Sequence, residues 1–125
     1  MKLNSISGIT CYVEDVARTA DFYEALGFRR GKEDVDRLTF YVNWFFVTFV
    51  KQDPDADAEL DAEAALPKGA GLFLYVKVDD VDEFYNGVVA KRMNPASEPQ
   101  KRPNGNREFI LRDPDGYNLV FFEKK

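Results

Sequence analysis

The side chains that most often carry out chemistry in proteins are scarce in this sequence. It contains no histidine and a single cysteine, Cys11. Without histidine, neither a Ser-His-Asp triad nor the two-His-one-carboxylate site of non-haem iron can form. Cys11 lies in an apolar stretch with no base to activate it, which favours inert packing over nucleophilic catalysis. Acid–base catalysis would rest on groups such as Glu108 or Tyr75, and no pattern supports it.

The acidic residues are concentrated in one segment. The net charge is −5, and six of the 22 acidic residues lie between positions 53 and 63. The run Asp53-Pro54-Asp55-Ala56-Asp57 resembles the beginning of a calcium loop, but Ala58 and Ala64 stand where such a loop needs glycine and a bidentate glutamate. The segment is therefore predicted to be a solvated linker with a short helix near 58–66.

Composition indicates a cytoplasmic domain without a membrane or nucleic-acid partner. The longest nearly apolar run, Phe45–Val50, is far shorter than the roughly 20 residues of a membrane-spanning helix. Met1–Ser5 contains no apolar core of signal-peptide length, and no basic stripe suits nucleic acid. One cysteine cannot form an internal disulfide, which is typical of a reducing compartment.

The chain contains an internal repeat. Val13-Glu14-Asp15-Val16 recurs 65 residues later as Val78-Asp79-Asp80-Val81, and each copy follows a strand-like run, at 9–13 and 72–78. The aspartates at the third position are good N-caps, so each copy predicts the beginning of a helix. The apolar faces of the two helices are predicted to contain Val16, Ala20, Tyr23 and Leu26 in the first and Val81, Phe84 and Val88 in the second.

Each helix is followed by a weak strand and then by two strong strands joined by a turn. The strong strands are 37–42 and 45–50 in the first half and 107–112 and 118–123 in the second. The sequence thus predicts an α+β fold of two βαβββ modules, with helices on the convex faces of curved mixed sheets and a concave cleft. The modules, about 1–52 and 71–125, would form a single domain, 1–125, joined by the acidic linker 53–70.

Trp44 is the aromatic residue that the pattern sets apart. It lies at or near the bend between two strands, and an exposed tryptophan often marks a contact surface. Packing, including packing against a second subunit, is favoured over stacking on a ligand. Whether Trp44 belongs to a dimer interface or to the cleft stays open.

The paired modules and their motifs resemble the glyoxalase, bleomycin-resistance and extradiol-dioxygenase superfamily, also called the vicinal-oxygen-chelate superfamily. The motifs are the two helix openings, the run from Asp21 to Phe28 (Asp-Phe-Tyr-Glu-Ala-Leu-Gly-Phe), and the closing hairpin from Arg112 to Val120. Metal-using members take their ligands from the first and last strands of each half. By position these ligands fall at Gly8, Phe46 or Thr48, Phe73 and Val120, and none is His, Glu or Gln. Glu123 is expected on the face opposite Val120. The resemblance therefore implies a protein without metal or cofactor.

Within the superfamily the sequence is most similar to the bleomycin-resistance group. The stretch from Gly105 to Gly116 follows that group's Gly-x-Arg-Glu-Phe-x-Leu-Arg-Asp-Pro-x-Gly hairpin, although Asn104 replaces the tryptophan that commonly precedes it. Members of the group are metal-free acidic homodimers that sequester a cationic, aromatic-tailed drug. The resemblance implies a homodimer and an aromatic ligand that can be cationic, while Asn104 argues against that specific drug.

Three functions remain open from the sequence. The favoured one is metal-free sequestration of an aromatic ligand, with no catalytic residue, as in antibiotic resistance. The second is a lyase, isomerase or dioxygenase-like enzyme with a non-standard or recruited metal site, and the third is an interaction module whose cleft is filled by its own aromatic side chains. Arg107 and Glu108 could instead be a structural cross-strand pair. The candidate ligand-binding residues are Phe46, Thr48, Phe73, Tyr75, Arg107, Glu108 and Val120.

Overall fold

The computed structural model describes residues 1–52 and 69–124. The chain divides into two compact units, Met1–Leu66 and Pro67–Lys125. Each unit has the order strand, helix and three strands, which confirms the predicted α+β fold of two βαβββ modules. In chain order the described elements are β1 (Gly8–Val13), α1 (Val16–Ala25), β2 (Arg29–Asp34), β3 (Arg37–Val42), β4 (Phe45–Lys51), β5 (Phe73–Lys77), α2 (Val81–Ala90), β6 (Gln100–Lys101), β7 (Arg107–Arg112) and β8 (Asn118–Glu123).

The predicted linker 53–70 lies almost wholly outside the described residues. The calcium-loop pattern and the short helix considered for the same segment also fall there. Both remain predictions, as does the division into modules joined by a linker.

The first unit is a mixed sheet with the order β1-β4-β3-β2, in which only the β1–β4 pair is parallel. Asp15 caps α1 as predicted, since its side chain accepts a hydrogen bond from the Arg18 backbone N–H at 3.2 Å. The ring of Tyr23 on α1 is fully buried and packs on Phe40 and Phe49 of the sheet. These contacts cover one face of the sheet with α1.

The second unit repeats this plan with the order β5-β8-β7-β6 and a parallel β5–β8 pair. Asp80 caps α2 by accepting a hydrogen bond from the Glu83 backbone N–H at 3.0 Å. Phe84 on α2 packs on Phe109 and Phe121, which stack on each other. Neither helix, nor any other in the described part of the chain, is long and apolar enough to cross a membrane.

A hairpin turn joins β3 to β4 in the first unit, and another joins β7 to β8 in the second. Asn43 adopts a φ of 54° at the β3–β4 turn, a conformation that asparagine tolerates better than most residues. Its neighbour Trp44 is 65% exposed and packs only edge-on against Phe45 among the described aromatic rings. In the β7–β8 turn, the Asp113 carboxylate accepts hydrogen bonds from two backbone N–H groups at 2.9 Å. Trp44 therefore lies on the surface at a strand bend.

Candidate functional site

The face of the first sheet that points away from α1, here called the helix-free face, carries Phe46 and Thr48. Their β4 neighbour Phe49 points to the core beneath α1. The hydroxyl oxygens of Thr48 and Thr39 lie 2.8 Å apart and share a hydrogen bond. The ring of Tyr41 meets Phe46 edge-on, with centroids 6.3 Å apart. This face thus combines a pair of hydroxyl groups with aromatic rings.

The ring of Phe46 lies directly over Gly8. The two residues are partners in the parallel β1–β4 pair, and a Cβ added at Gly8 would overlap ring atoms of Phe46. No side chain can occupy position 8 unless this ring moves. The resemblance implies that position 8 is one of four metal-ligand positions. In this chain glycine provides no ligand atom there, and the Phe46 ring occupies the space that a longer side chain would need.

The remaining positions of that set do not fit a metal either. Phe73 and Val120 have no donor atom, and the Thr48 hydroxyl is neutral and already bonded to Thr39. A divalent ion requires carboxylate, imidazole or thiolate groups at several of these places. The donor set of this chain therefore does not fit the metal of its metal-using relatives.

The helix-free face of the second sheet carries Phe73, Tyr75, Glu108 and Val120. Tyr75 is the register partner of Val120, and its ring meets Phe122 edge-on at 6.0 Å. Phe73 and Tyr75 are 48% and 64% exposed, whereas Val120 is 2% exposed. Two accessible aromatic rings therefore stand beside a buried apolar floor.

Glu108 does not offer a free carboxylate on this face. The Arg102 Nε donates to Glu108 Oε1 at 3.0 Å, and the Glu108 side chain is 12% exposed. The two charges compensate each other. A cationic ligand would have to compete with Arg102 for this carboxylate.

Arg107 lies on the opposite side of the second sheet. Both Arg107 and Glu108 are candidate ligand-binding residues by sequence, but adjacent residues of a strand point to opposite faces, so the two cannot share a site or pair with each other. The Arg107 guanidinium instead binds the Asp82 carboxylate in the first turn of α2 through two hydrogen bonds, at 2.9 and 2.8 Å. This contact lowers the pKa of Asp82 and raises the pKa of Arg107. The structure therefore places Arg107 outside the candidate site.

Three carboxylates meet at the beginning of α2. Ligand atoms of Asp80, Asp82 and Glu123 lie within 4.8 Å of one another. Glu123 accepts a hydrogen bond from the Val81 backbone N–H at 3.1 Å, which confirms that it faces away from Val120. Asp80 caps the helix and Asp82 binds Arg107. The cluster holds α2 to the sheet, and each of its carboxylates already has a protein partner.

Sequence reasoning missed a cavity of about 370 Å³ in the first unit, lined by Lys32, Asp34, Arg37 and Thr39. The only signal in the sequence was the density of basic residues between positions 29 and 37, interleaved with acidic ones. A larger hollow of about 530 Å³ at the beginning of α1 is lined by three acidic residues, Glu14, Asp15 and Asp36, against two basic ones, Arg18 and Lys51, and so has no excess of cations.

With the fold and these faces defined, comparison with known proteins assigns the family. The sequence model of the Glyoxalase/Bleomycin resistance protein/Dioxygenase superfamily matches residues 5–121. The chain belongs to this superfamily. No curated protein sequence matches it.

Solved structures share the fold over nearly the whole chain. A bleomycin-binding protein complexed with bleomycin is 21% identical, with 98% of this chain and 100% of that chain covered and a TM-score of 0.67. A lactoylglutathione lyase from Agrobacterium tumefaciens is 20% identical, with 98% and 96% covered and a TM-score of 0.74. The hypothetical protein SA1046 from S. aureus is 19% identical, with 98% and 95% covered and a TM-score of 0.77. At these identities the likeness establishes the fold alone.

Proposed function

We propose that this chain is a metal-independent binding protein that sequesters a small aromatic molecule on the helix-free faces of its sheets. The observation that carries the proposal is the Phe46 ring over Gly8, because it replaces one ligand position with a ring and closes another. At the positions that the resemblance implies for a metal, this chain has an aromatic surface instead. Such a surface can hold a ligand by stacking but cannot activate one by coordination.

The exposed rings of the second sheet support an aromatic ligand. Flat molecules pack on such rings in offset or edge-on geometry, and each pair contributes about 0.5–1.5 kcal/mol beyond the area buried. Phe73 and Tyr75 are accessible to a ligand, while Val120 supplies an apolar floor between the strands. The solved bleomycin-binding protein has the same fold. That likeness favours a sequestering role, as in antibiotic resistance, for this chain.

We also propose that the protein is a cytoplasmic homodimer. Tyr12, Val42 and Trp44 leave apolar surface exposed on the first unit, and a symmetric partner would bury it. Cys11 is buried, and the chain has no second cysteine with which it could form a disulfide, which suits a reducing compartment.

Thermal unfolding in the presence of small aromatic compounds tests the binding proposal. A ligand at about 100 times its dissociation constant stabilises the folded state by about 2.7 kcal/mol, which raises the melting temperature by several degrees. For a ligand that packs on the second sheet, Tyr75→Ala should abolish most of this rise, whereas Tyr75→Phe, which keeps the ring, should preserve it. Circular dichroism of both variants without ligand checks that they fold.

The alternative, an enzyme with a recruited metal, predicts a different outcome. Zinc, nickel or manganese would then raise the melting temperature at about one equivalent, and aromatic compounds would have no effect without the metal. That pair of results would contradict the proposed function.

A further inference from the structure

The helix-free face of the first sheet is rich in cations although the protein as a whole is acidic. In the β2–β3 pair, Arg29 is the register partner of Tyr41, and Asp34 is the partner of Arg37. The Arg29 guanidinium carbon lies 5.0 Å from the centroid of the Tyr41 ring, which fixes both side chains on this face. Arg37 lies on the same face, because its β3 neighbour Leu38 is fully buried on the other side.

A bulge in β2 brings Lys32 to the same face. The register shifts between Arg30 and Glu33, so Gly31 and Lys32 together stand opposite Thr39. Bulges of this kind redirect a side chain and recur next to functional sites. Lys32 then lines the cavity of about 370 Å³ together with Arg37 and Thr39. The position of Lys32 in this cavity therefore depends on one irregular residue pair.

Gly31 makes the bulge possible. A Cβ at position 31 would collide with the Tyr41 ring and lie 3.0 Å from the Thr39 carbonyl oxygen. Only glycine fits between these groups without displacing them. The bulge and the aromatic ring beside it are thus packed as one arrangement.

The cationic side chains on the two faces of the first sheet differ in their ion pairs. Arg30, on the helix side, is paired with Glu24 at 2.8 Å and with Glu33 at 3.1 Å. Within the described part of the chain, Lys32 and Arg37 have no ion pair. Both point into a cavity of the size that small-molecule sites occupy, roughly 300–1,000 Å³.

Besides its two cations the cavity is lined by one carboxylate, Asp34, and one hydroxyl, Thr39, so positive charge exceeds negative charge by one. The Asp34 carboxylate accepts a hydrogen bond from the Val35 backbone N–H at 2.9 Å and so serves the β2–β3 turn. Thr48 can donate its hydroxyl hydrogen to Thr39, which leaves the Thr39 hydrogen for a group in the cavity. A guanidinium fork, an ammonium and a hydroxyl are the donors that bind carboxylate and phosphate groups.

From these contacts we infer that Lys32, Arg37 and Thr39 form an anion-binding site, and that the ligand carries a carboxylate or phosphate-type group beside its aromatic part. The rings of Tyr41 and Phe46 lie on the same face of the first sheet, so the aromatic part of a ligand at this site would pack on them and not on Phe73 or Tyr75. This inference rests on the proposed function for the identity of the ligand's body, but the anion site can be tested separately. An anionic ligand would be the opposite of the cationic ligand that the sequence favoured.

Isothermal titration calorimetry on the full chain tests the site with four probes: inorganic phosphate, phenyl phosphate, benzoate and benzylamine. Phenyl phosphate and benzoate are expected to bind more tightly than benzylamine, and the stronger of the two identifies the preferred anion. Lys32→Gln and Arg37→Gln should each weaken anion binding on the order of tenfold, because each removes a charged hydrogen-bond donor. Arg30→Gln is the matched control: it removes the same charge from the other face and should leave the affinity unchanged.

The outcomes separate the two proposals. Benzylamine binding more tightly than the two aromatic anions would overturn the anion site and leave aromatic binding intact. Phosphate binding that weakens in Lys32→Gln and Arg37→Gln, with no aromatic probe binding better than phosphate, would support the site and contradict the proposed function. Wild-type protein that binds no anion, or anion affinities equal in wild type and both variants, would overturn the site.

Discussion

Replacing Gly8 by alanine is expected to destabilise the protein, because the new methyl group would overlap the ring of Phe46. The Tyr41 ring packs against Phe46, which restricts movement of the Phe46 ring away from position 8. Overpacking of this kind lowers the free energy of unfolding by about 1–3 kcal/mol. When Phe46 is also alanine, the obstruction is gone. Gly8→Ala should then be neutral or stabilising by up to about 1 kcal/mol, since glycine loses more backbone entropy on folding.

Urea denaturation of the wild type, Gly8→Ala, Phe46→Ala and the double variant measures this coupling. We expect an interaction free energy of about 1–4 kcal/mol between the two sites, which is the difference between the effects of Gly8→Ala with and without the Phe46 ring. Gly87→Ala in α2 is the control, since a methyl group there meets no atom within 4 Å. It should stabilise by about 0.5–1 kcal/mol in either background. An equal effect of Gly8→Ala with and without the Phe46 ring would refute the contact, and with it the argument that position 8 has no room for a metal ligand.

Three further results are expected. The pKa of Asp82 lies below its ordinary value of 3.8 because of its hydrogen bonds to Arg107, so this pair stabilises the fold above pH 3.8 and the stabilisation is lost as the pH falls through the lowered pKa. In urea denaturation, Arg107→Gln should therefore be destabilising at pH 7, and the difference from wild type should shrink as the solution is made more acidic. Elemental analysis should find no stoichiometric metal, and a chelator should leave the melting temperature unchanged; one tightly held equivalent would contradict this. Light scattering should report twice the monomer mass at micromolar concentration, and a monomer would refute the dimer.

Local patterns in the sequence determined the elements and their order. The aspartate N-caps begin both helices because a short side chain satisfies backbone N–H groups that have no helical partner. Runs of apolar and aromatic residues on either side of a turn predicted β3, β7 and β8 with their observed bounds, and Asp113 with Gly116 predicted the last turn. These features depend on neighbours in the chain, so they can be read without the fold. The alternation of side-chain direction along a strand placed Glu123 correctly, and applied to Arg107 it would have removed that residue from the site.

Only the tertiary structure decided which of these side chains meet and what their charges do. Glu108 is compensated by Arg102 because β6 and the residues after it return beside β7, and no spacing rule selects that partner among the basic residues nearby. The ring of Phe46 covers Gly8 because β1 and β4 pair in parallel with a particular register across the whole first unit. Lys32 joins the helix-free face because a bulge breaks the two-residue period on which sequence reasoning relies. Charge compensation, ring placement and strand irregularity all arise from contacts between distant segments, and a pattern confined to neighbouring residues does not contain them.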